Sequence, residues 1–554
     1  MVVFLWLPTL NHVYMDSAQH LPSMPIHPRR PNFLLFITDQ QRADHLGAYG
    51  NRVVRTPHLD ALARRGWLAS ACLVASPICM PNRASLMTGR MPSVHGARHN
   101  GIALPLDQQT FVERLRSNGY ATALVGKSHL QNISGRGPVW PPKDSPATEG
   151  EASRAPAGRL DQEWEPSWIA DDNFDIELPY YGFDTVRLVI NHGDTAGGHY
   201  RRWLRQHHPD VAARTGAEHA LPTPNFELAN CRQAWRSTVP EELSTTSYVG
   251  DQTCQLLQTL SSADQPFFIQ CSFPDPHHPF TPPGKYWDMY RPEDMLLPAS
   301  FHARTSGPLP HLDWMHAQRD AGRAVKDSPA MFAATEREVR EALALNYGSI
   351  SHIDATIGRV LARLTQLDLD RDTVVLFTSD HGDYFGDHQL LWKGPLHYQG
   401  VIRVPLIWHD PHSATGAGQV CNQLCSTIDI APTILARAGC TPYNGIQGLS
   451  LLPAMDGDRP LGRDDMLVEE EGQRTMFGFT GRTRMRSLRT ATHRLSVYEG
   501  QDWGEIYDLV RDPDENHNLW SQPGSAGLRQ ELLHRLALAM IRYSDTSPHP
   551  TALA

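Results

Sequence analysis

The sequence has no segment long and apolar enough to cross a bilayer, and no basic run of the kind that binds nucleic acids. The net charge of −10 also argues against a general nucleic-acid-binding protein. The apolar start, residues 1–8, is short and lacks a basic flank and a small-residue cleavage site, which makes it a poor secretory signal. We therefore expect a cytoplasmic protein with no membrane or nucleic-acid partner. Residues 1–30 are expected to be a disordered tail or an overextended start, with Met15 and Met24 as alternative starts.

Cysteine is scarce, with eight copies in 554 residues. No two of them have the spacing of a zinc site or a redox motif, and they are too few for a disulfide scaffold. Cys421 and Cys425 have a spacing that would place them on one helix face, but no further ligands follow them. We interpret both as packing residues.

The length exceeds that of one ordinary domain, which predicts a large domain followed by a smaller one. We expect the large domain over residues 31–455, with irregular insertions near 132–242 and 290–328 that build a specificity region. The smaller subdomain is expected over residues 456–554. Glu469-Glu470-Glu471 in that part is interpreted as a solvated or strand-edge segment.

Buried parallel strands are predicted where short apolar runs of strand-forming residues occur. These runs cover residues 32–38, 120–125, 266–273 and 373–379. The polar residues that follow them are Asp39, Gln40, Lys127, His129, His277, Asp380 and His381. Because open α/β sheets bind ligands beyond the carboxyl ends of their strands, we expect these side chains to meet, although turns and solvated loops explain each one singly. Lys127 and His129 would point the same way if their strand continued.

Cys79 lies two residues before Pro81 and four before Arg83. Proline suits the first turn of a helix, so Cys79 is expected at or just before a helix N-terminus. Free N–H groups and the helix dipole favour an anion or a thiolate there. A small buried residue near a turn explains Cys79 equally well.

The run Cys79-Met80-Pro81-Asn82-Arg83 resembles the Cys-x-Pro-x-Arg signature of type I sulfatases in the alkaline phosphatase superfamily. Met80 and Asn82 stand where that family usually has small residues. Further matches in chain order are Gly126-Lys127-Ser128-His129, a Pro-His-x-Pro turn at His277, and the hairpin end at 505–509. The resemblance covers roughly residues 31–525. It implies an α/β fold, with a large mixed, mostly parallel sheet between helices and a smaller C-terminal α+β subdomain.

The resemblance also implies a modified nucleophile and a metal. A maturation enzyme would oxidise Cys79 to formylglycine, which becomes the nucleophile when hydrated. One divalent cation is implied, with Ca²⁺ expected from the oxygen ligands and Mn²⁺ as the alternative because of an imidazole ligand. Its ligands would be Asp39, Gln40, Cys79, Asp380 and His381. The Asp-Gln and Asp-His pairs among them are similar to those of choline sulfatases and phosphonate monoester hydrolases.

The family's catalytic roles transfer to matching positions. The residues implied to be catalytic are Cys79, Arg83, Lys127, His129, His277 and Lys393. Lys127, His277 and Lys393 would bind the sulfuryl oxygens, and Asn100 is a further expected substrate contact. His277 and Lys393 are the candidates to protonate the leaving oxygen, and His129 would take a proton as sulfate departs.

We therefore expect an arylsulfatase-like hydrolase of small sulfate esters. A phosphonate monoester or phosphodiester hydrolase of the same fold is the alternative, and Gly-Lys-Ser-His at 126–129 favours sulfate. A non-catalytic anion- or metal-binding relative is a third alternative. The alcohol part of the substrate and the oligomeric state, including a homo-oligomer, are left open.

Overall fold

The computed structural model describes residues 30–138, 151–152, 154, 157–223, 226–303, 305–307, 309–326, 330–413, 417–457, 460–473 and 475–553. The expected tail over 1–30 lies outside the described residues except for Arg30. The strands are β1 (Asn32–Thr38), β2 (Trp67–Ala69), β3 (Cys72–Leu73), β4 (Ala121–Gly126), β5 (Thr185–Ile190), β6 (Phe267–Ser272), β7 (Phe332–Ala333), β8 (Thr373–Ser379), β9 (Leu390–Leu391), β10 (Arg403–Val404), β11 (Leu406–His409), β12 (Gln419–Cys421), β13 (Cys425–Ser426), β14 (Asp465–Glu471), β15 (Arg484–Thr490), β16 (His493–Tyr498) and β17 (Gly504–Asp508).

Helices occur between many of these strands and after the last one. They are α1 (Pro57–Arg65), α2 (Cys79–Thr88), α3 (Pro92–His95), α4 (Phe111–Ser117), α5 (Glu165–Ala170), α6 (Gly198–His207), α7 (Pro209–Ala212), α8 (Thr245–Leu260), α9 (Pro310–Asp320), α10 (Glu336–Gln366), α11 (Gln399–Ile402), α12 (Ile430–Arg437), α13 (Leu452–Met455) and α14 (Ala526–Arg542). The expected caps are present, because Thr110 accepts a hydrogen bond from the N–H of Glu113 and Thr335 forms a capping box with Glu338.

The large sheet has the strand order β12-β2-β11-β8-β1-β6-β4-β5 in the described residues. Strand β1 pairs in parallel with both β8 and β6, and β4 pairs in parallel with both β6 and β5. Strand β11 runs antiparallel to its two neighbours. The expected mixed, mostly parallel sheet is confirmed. Strands β14 to β17 form a separate antiparallel sheet.

Both faces of the large sheet are covered, which is why its strands read as continuous apolar runs. Along β1, Leu34 and Phe36 enter one hydrophobic core, whereas Phe33, Leu35 and Ile37 enter the other. Helices α1, α8 and α10 cover the first face. Helices α2, α4, α12 and α14 and the C-terminal sheet cover the second. The helix that starts at Cys79 therefore lies on this second face, where it contacts α3, α4 and α12.

The segment 132–242 is more regular than expected. It contains β5, the edge strand of the large sheet, together with helix α6. Val186 and Leu188 alternate with polar residues, so this segment lacks the continuous apolar run of a buried central strand. An edge strand can form without such a run. The described part of 290–328 carries helix α9.

Two smaller expectations were met in part. Glu469, Glu470 and Glu471 lie on β14, an edge strand as expected, but they are buried rather than solvated. Each has a partner: Ser93 for Glu469, His397 for Glu470, and arginines such as Arg484 for Glu471. Cys421 and Cys425 lie on strands β12 and β13 and not on a helix, but both pack against a hydrophobic core as expected. No helix in the described ranges combines the length and the apolar character that a membrane crossing requires.

Candidate active site

Five neighbouring strands of the large sheet end at one place, and each is followed by a polar side chain that reaches it. In sheet order, the residues are Asp380 and His381 after β8, Asp39 and Gln40 after β1, His277 after β6, Lys127 after β4, and His192 after β5. Cys79 joins them from the first turn of α2. The structure thus brings together at one sheet edge the residues that follow separate strands in the sequence, as binding in open α/β sheets requires.

Four of these side chains surround a space suited to a cation. Ligand atoms of Asp39, Cys79, Asp380 and His381 all lie within 4.8 Å of one another, and all four residues are buried. His381 Nε2 is 3.1 Å from Cys79 Sγ, 3.7 Å from Asp39 Oδ1 and 3.5 Å from Asp380 Oδ1. The other ring nitrogen, Nδ1, lies 2.8 Å from the carbonyl oxygen of Gly382, so it carries a hydrogen and leaves Nε2 for a metal. Two carboxylates and one imidazole form a donor set that fits a divalent cation.

The side-chain amide of Gln40 has a fixed orientation. Its Nε2 donates to Asp383 Oδ2 and lies 3.1 Å from His278 Nδ1. An amide nitrogen only donates, so these two acceptors determine which end of the group is which. Gln40 Oε1 is therefore turned the other way, where it accepts a hydrogen bond from Lys393 Nζ at 2.9 Å. The amide oxygen is the end that a hard cation would bind.

Arg83 forms ion pairs with both carboxylates, those of Asp39 and Asp380. Its Nε is 2.7 Å from Asp380 Oδ2, and its second terminal nitrogen is 3.1 Å from Asp39 Oδ2. Burial alone would raise the pKa of Asp39, but Lys127, two neighbouring histidines and Arg83 outweigh it and hold that pKa well below its usual range. Asp39 is therefore ionised at neutral pH, as a metal ligand must be.

Two lysines lie beside the space. Lys127 Nζ lies 2.5 Å from Asp39 Oδ2 and 2.6 Å from His192 Nε2. Lys393 Nζ lies 3.1 Å from Cys79 Sγ and 3.0 Å from His277 Nε2. Burial lowers the pKa of Lys393, but the neighbouring Cys79 and acidic groups outweigh it and raise the pKa above its ordinary value. The lysines therefore bring two positive charges to the point where an anionic substrate would approach.

The charges around Cys79 also affect its thiol. Burial and Asp39 both raise the pKa of Cys79, yet Lys393, His381 and Lys127 outweigh them and lower it below the ordinary value. A cysteine buried only for packing would show the opposite shift, as Cys271 does: burial raises its pKa to about 12. The environment of Cys79 is therefore that of a reactive group.

His129 and Asn100 lie beside the site without bonding to Cys79 in the described structure. Strand β4 ends at Gly126 and the backbone of His129 has a φ of 58°, so the condition for a common direction of Lys127 and His129, a continuing strand, is not met. The N–H of His129 is held by Glu163, and its ring Nδ1 is buried without a partner among the described residues. Asn100 Oδ1 accepts a hydrogen bond from the N–H of Met80 at 3.1 Å. Its expected contact with substrate stays a prediction.

Asn82, which departs from the usual signature, has a structural role. Its Oδ1 accepts hydrogen bonds from the N–H of Ala75 at 2.9 Å and the hydroxyl of Thr427 at 2.8 Å. Its Nδ2 donates to the backbone oxygen of Asp380 at 2.5 Å. One buried amide thus joins helix α2 to the end of β8, which fixes Cys79 relative to the ligands of that strand.

Replacing Asn82 by alanine should lower the free energy of unfolding by about 2–4 kcal/mol, because it leaves the N–H of Ala75 and the carbonyl of Asp380 buried without partners. Urea denaturation measures this loss. The control is Asn444→Ala, since Asn444 is exposed and its side chain donates a hydrogen bond to the backbone oxygen of Thr546. Equal stability losses in the two variants would contradict the role of Asn82.

Sequence reasoning missed two residues of the site. His192 follows the apolar residues Val189 and Ile190 in the same way that Asp39 follows β1, so the strand-end pattern could have identified it. Asp383 stands within Asp380-His381-Gly382-Asp383, but only the fold shows that it bonds Gln40.

Comparison with known proteins agrees with this arrangement. The sulfatase family model matches residues 31–440, which is most of the chain. The chain belongs to the sulfatase family. A second family model, N-sulphoglucosamine sulphohydrolase, C-terminal, matches residues 386–541 of this sulfatase-family protein.

The relatives of this sulfatase-family protein fall into more than one activity class by name. An arylsulfatase of Clostridium perfringens is 26% identical over 505 residues, covering 88% of this chain and 90% of that protein. The multifunctional alkaline phosphatase superfamily protein PehA of Trinickia caryophylli is 27% identical over 550 residues, covering 93% and 96%. The structure of the phosphonate monoester hydrolase of Agrobacterium radiobacter matches with a TM-score of 0.72 at 25% identity, covering 94% and 97%. The alkaline-phosphatase-like fold expected from the sequence is confirmed.

Proposed function

We propose that this protein hydrolyses small sulfate esters of the arylsulfatase kind, with an oxidised Cys79 as nucleophile and one divalent cation. The observation that supports this most is the convergence of Cys79 with Asp39, Asp380 and His381 between two lysine ammonium groups. Such a site can hold a cation and an anionic substrate side by side. A maturation enzyme that converts the cysteine to formylglycine is the partner that this proposal requires.

The cation would be held by Asp39, Gln40, Asp380, His381 and the modified side chain at position 79. When bound, it would stabilise negative charge on oxygen in the nucleophile and in the transferred group. Ca²⁺ is the proposed ion because four of the five positions offer oxygen once Cys79 is oxidised, and Mn²⁺ is the alternative because of His381.

The other binding and proton-transfer roles are assigned to side chains of the protein. Arg83 and Lys127 hold Asp39 ionised and in place. Lys127, Lys393 and His277 would bind the sulfuryl oxygens, where charge must be stabilised during transfer. Lys393 and His277 are the candidates to protonate the leaving oxygen, and Asn100 is proposed as a further substrate contact. His129, whose buried Nδ1 has no partner among the described residues, would receive a proton as sulfate departs.

A phosphonate monoester or phosphodiester hydrolase is the second candidate, supported by the structural match to the Agrobacterium radiobacter enzyme. Gly-Lys-Ser-His at 126–129 favours sulfate. We also propose the division into a catalytic domain over 31–455 and a C-terminal subdomain over 456–554.

Two measurements test the proposed function. The protein is produced with its own or a co-expressed maturation system, and the peptide that contains Cys79 is analysed by mass spectrometry. Exchange of sulfur for oxygen with loss of two hydrogens supports the modified nucleophile. Turnover of 4-nitrophenyl sulfate is then compared with that of 4-nitrophenyl phenylphosphonate. Faster phosphonate turnover would favour the second candidate, and an unmodified thiol beside a modified control protein would overturn the proposed nucleophile.

Metal affinity should depend on Asp383, which turns the Gln40 amide oxygen toward the cation. Asp383→Asn places an amide where Gln40 Nε2 needs an acceptor, so we expect affinity for Ca²⁺ or Mn²⁺ to fall about 10–100-fold. Calorimetric titration of chelator-stripped protein measures this. Asp264→Asn is the matched control, since Asp264 is exposed. Equal metal affinity of Asp383→Asn and the parent protein would contradict the role of Asp383.

A further inference from the structure

His192 is delivered to the site by a tight turn at the end of edge strand β5. The residues on either side of it, Asn191 and Gly193, both have a φ of 64°. This left-handed conformation is uncommon for a residue other than glycine and reverses the chain direction sharply. The turn brings the His192 ring face to face with that of His277, with centroids 3.7 Å apart and planes 7° from parallel. The placement is therefore built by the fold and is not that of a loose loop residue.

The hydrogen bond from Lys127 determines which nitrogen of His192 carries the hydrogen. Lys127 Nζ lies 2.6 Å from His192 Nε2. An ammonium group has hydrogens to donate and no lone pair to accept, so Nε2 is the accepting, unprotonated nitrogen. The ring hydrogen is then on Nδ1. Nδ1 makes no hydrogen bond with any described residue, and 14% of the His192 side chain is exposed. His192 thus has one spare donor, on a ring that is partly exposed.

His277, stacked on the other face, has no such spare group. Its Nδ1 bonds the backbone oxygen of His278, and its Nε2 accepts from Lys393 at 3.0 Å. Of the two stacked rings, only His192 has a nitrogen without a partner among the described residues, whereas His277 would bind a sulfuryl oxygen only in place of its bond to Lys393. The free N–H lies on a ring that Lys127 holds directly beside Asp39.

We infer that His192 is a substrate-binding residue whose Nδ1–H donates a hydrogen bond to an oxygen of the transferred sulfuryl group, while its Nε2 holds Lys127. This inference rests on the proposed function. It adds His192 to Lys127, Lys393 and His277 as a group that binds the sulfuryl oxygens. The residue after β5 then contributes to the site. A donor aimed at such an oxygen contributes most when charge on that oxygen grows in the transition state.

A second cation between Asp39, His192 and His277 does not suit the geometry. Ligand atoms of these three residues lie within 4.8 Å of one another. However, Lys127 Nζ already lies between the Asp39 carboxylate and His192 Nε2, within 2.6 Å of both. The ammonium group supplies the positive charge that a second metal would bring, so we assign these residues to substrate binding.

Two conservative variants separate substrate contact from support of Lys127. The amide of asparagine reaches about as far as Nδ1 of histidine, and that of glutamine about as far as Nε2. The substrate is the ester that the parent protein, without substitutions, hydrolyses best. With it, we expect His192→Ala to lower kcat/KM about 100-fold. His192→Asn should recover at least part of that loss, and His192→Gln should not. Recovery by glutamine but not by asparagine would overturn the inference. Equal activity of His192→Ala and the parent protein would also overturn it.

A binding measurement keeps this test separate from that of the proposed function. Inorganic sulfate is titrated calorimetrically into each metal-loaded variant, with thermal unfolding as the check of folding. We expect weaker sulfate binding in His192→Ala and His192→Gln than in His192→Asn. If the protein hydrolyses neither ester but this order of binding holds, the proposed function fails and the role of His192 stands. The control is His302→Ala, because 68% of the His302 side chain is exposed; unchanged binding in all four variants would overturn the inference.

Discussion

Replacement of Cys79 by alanine should lower turnover at least about 10,000-fold, because removal of a nucleophile leaves only binding and charge stabilisation to act. The fold should remain, since Cys79 is one small side chain at the start of α2 and the helix is anchored separately through Asn82. Initial rates with 4-nitrophenyl sulfate measure the loss, and thermal unfolding checks the structure.

The matched control is Cys421→Ala. Cys421 is half-buried on β12, far along the chain from the site, and we expect normal turnover in that variant. If Cys79→Ala turned over substrate at the rate of the parent protein, another group would have to attack the substrate. Loss of turnover in both variants would point instead to general damage by cysteine replacement, which would contradict the special role of Cys79.

Replacement of Lys393 by methionine is the second large effect that we expect. Lys393 Nζ contacts Gln40, Cys79 and His277, so it touches ligand, nucleophile and proposed acid at once. If the ammonium group protonates the leaving oxygen, the loss should be about 100–10,000-fold for an alkyl sulfate. It should be much smaller for 4-nitrophenyl sulfate, whose leaving group needs no proton. Comparing kcat for the two esters measures the difference.

The control for this prediction is Lys285→Met. Lys285 is an exposed lysine that pairs with Glu241, and its loss should leave both esters unaffected. An equal decrease for the alkyl and aryl esters in Lys393→Met would mean that Lys393 binds the anion without acting as an acid. His277 would then be the remaining candidate for that proton.

The local elements that carry the site were accessible from the sequence because their signals are local. A proline two residues after Cys79 predicts the start of a helix, and α2 does begin at Cys79. Apolar runs followed by Asp39 or Asp380 predict buried strands with polar ends, and β1 and β8 end as expected. Strand β5 was missed because Thr185 and Arg187 alternate with its first apolar residues, which weakens the apolar run on which the prediction depends.

The sequence by itself determined the family, the position of the nucleophile and the chemical types around it, because these follow from residues close together in the chain. Only the tertiary structure decided which groups touch. The amide of Gln40 is turned by Asp383, which lies 343 positions away. Asp39 is kept ionised by Lys127 from another strand, and His192 enters from the sheet edge. Such contacts depend on the order of the strands in the sheet, and residue spacing along the chain carries no information about that order.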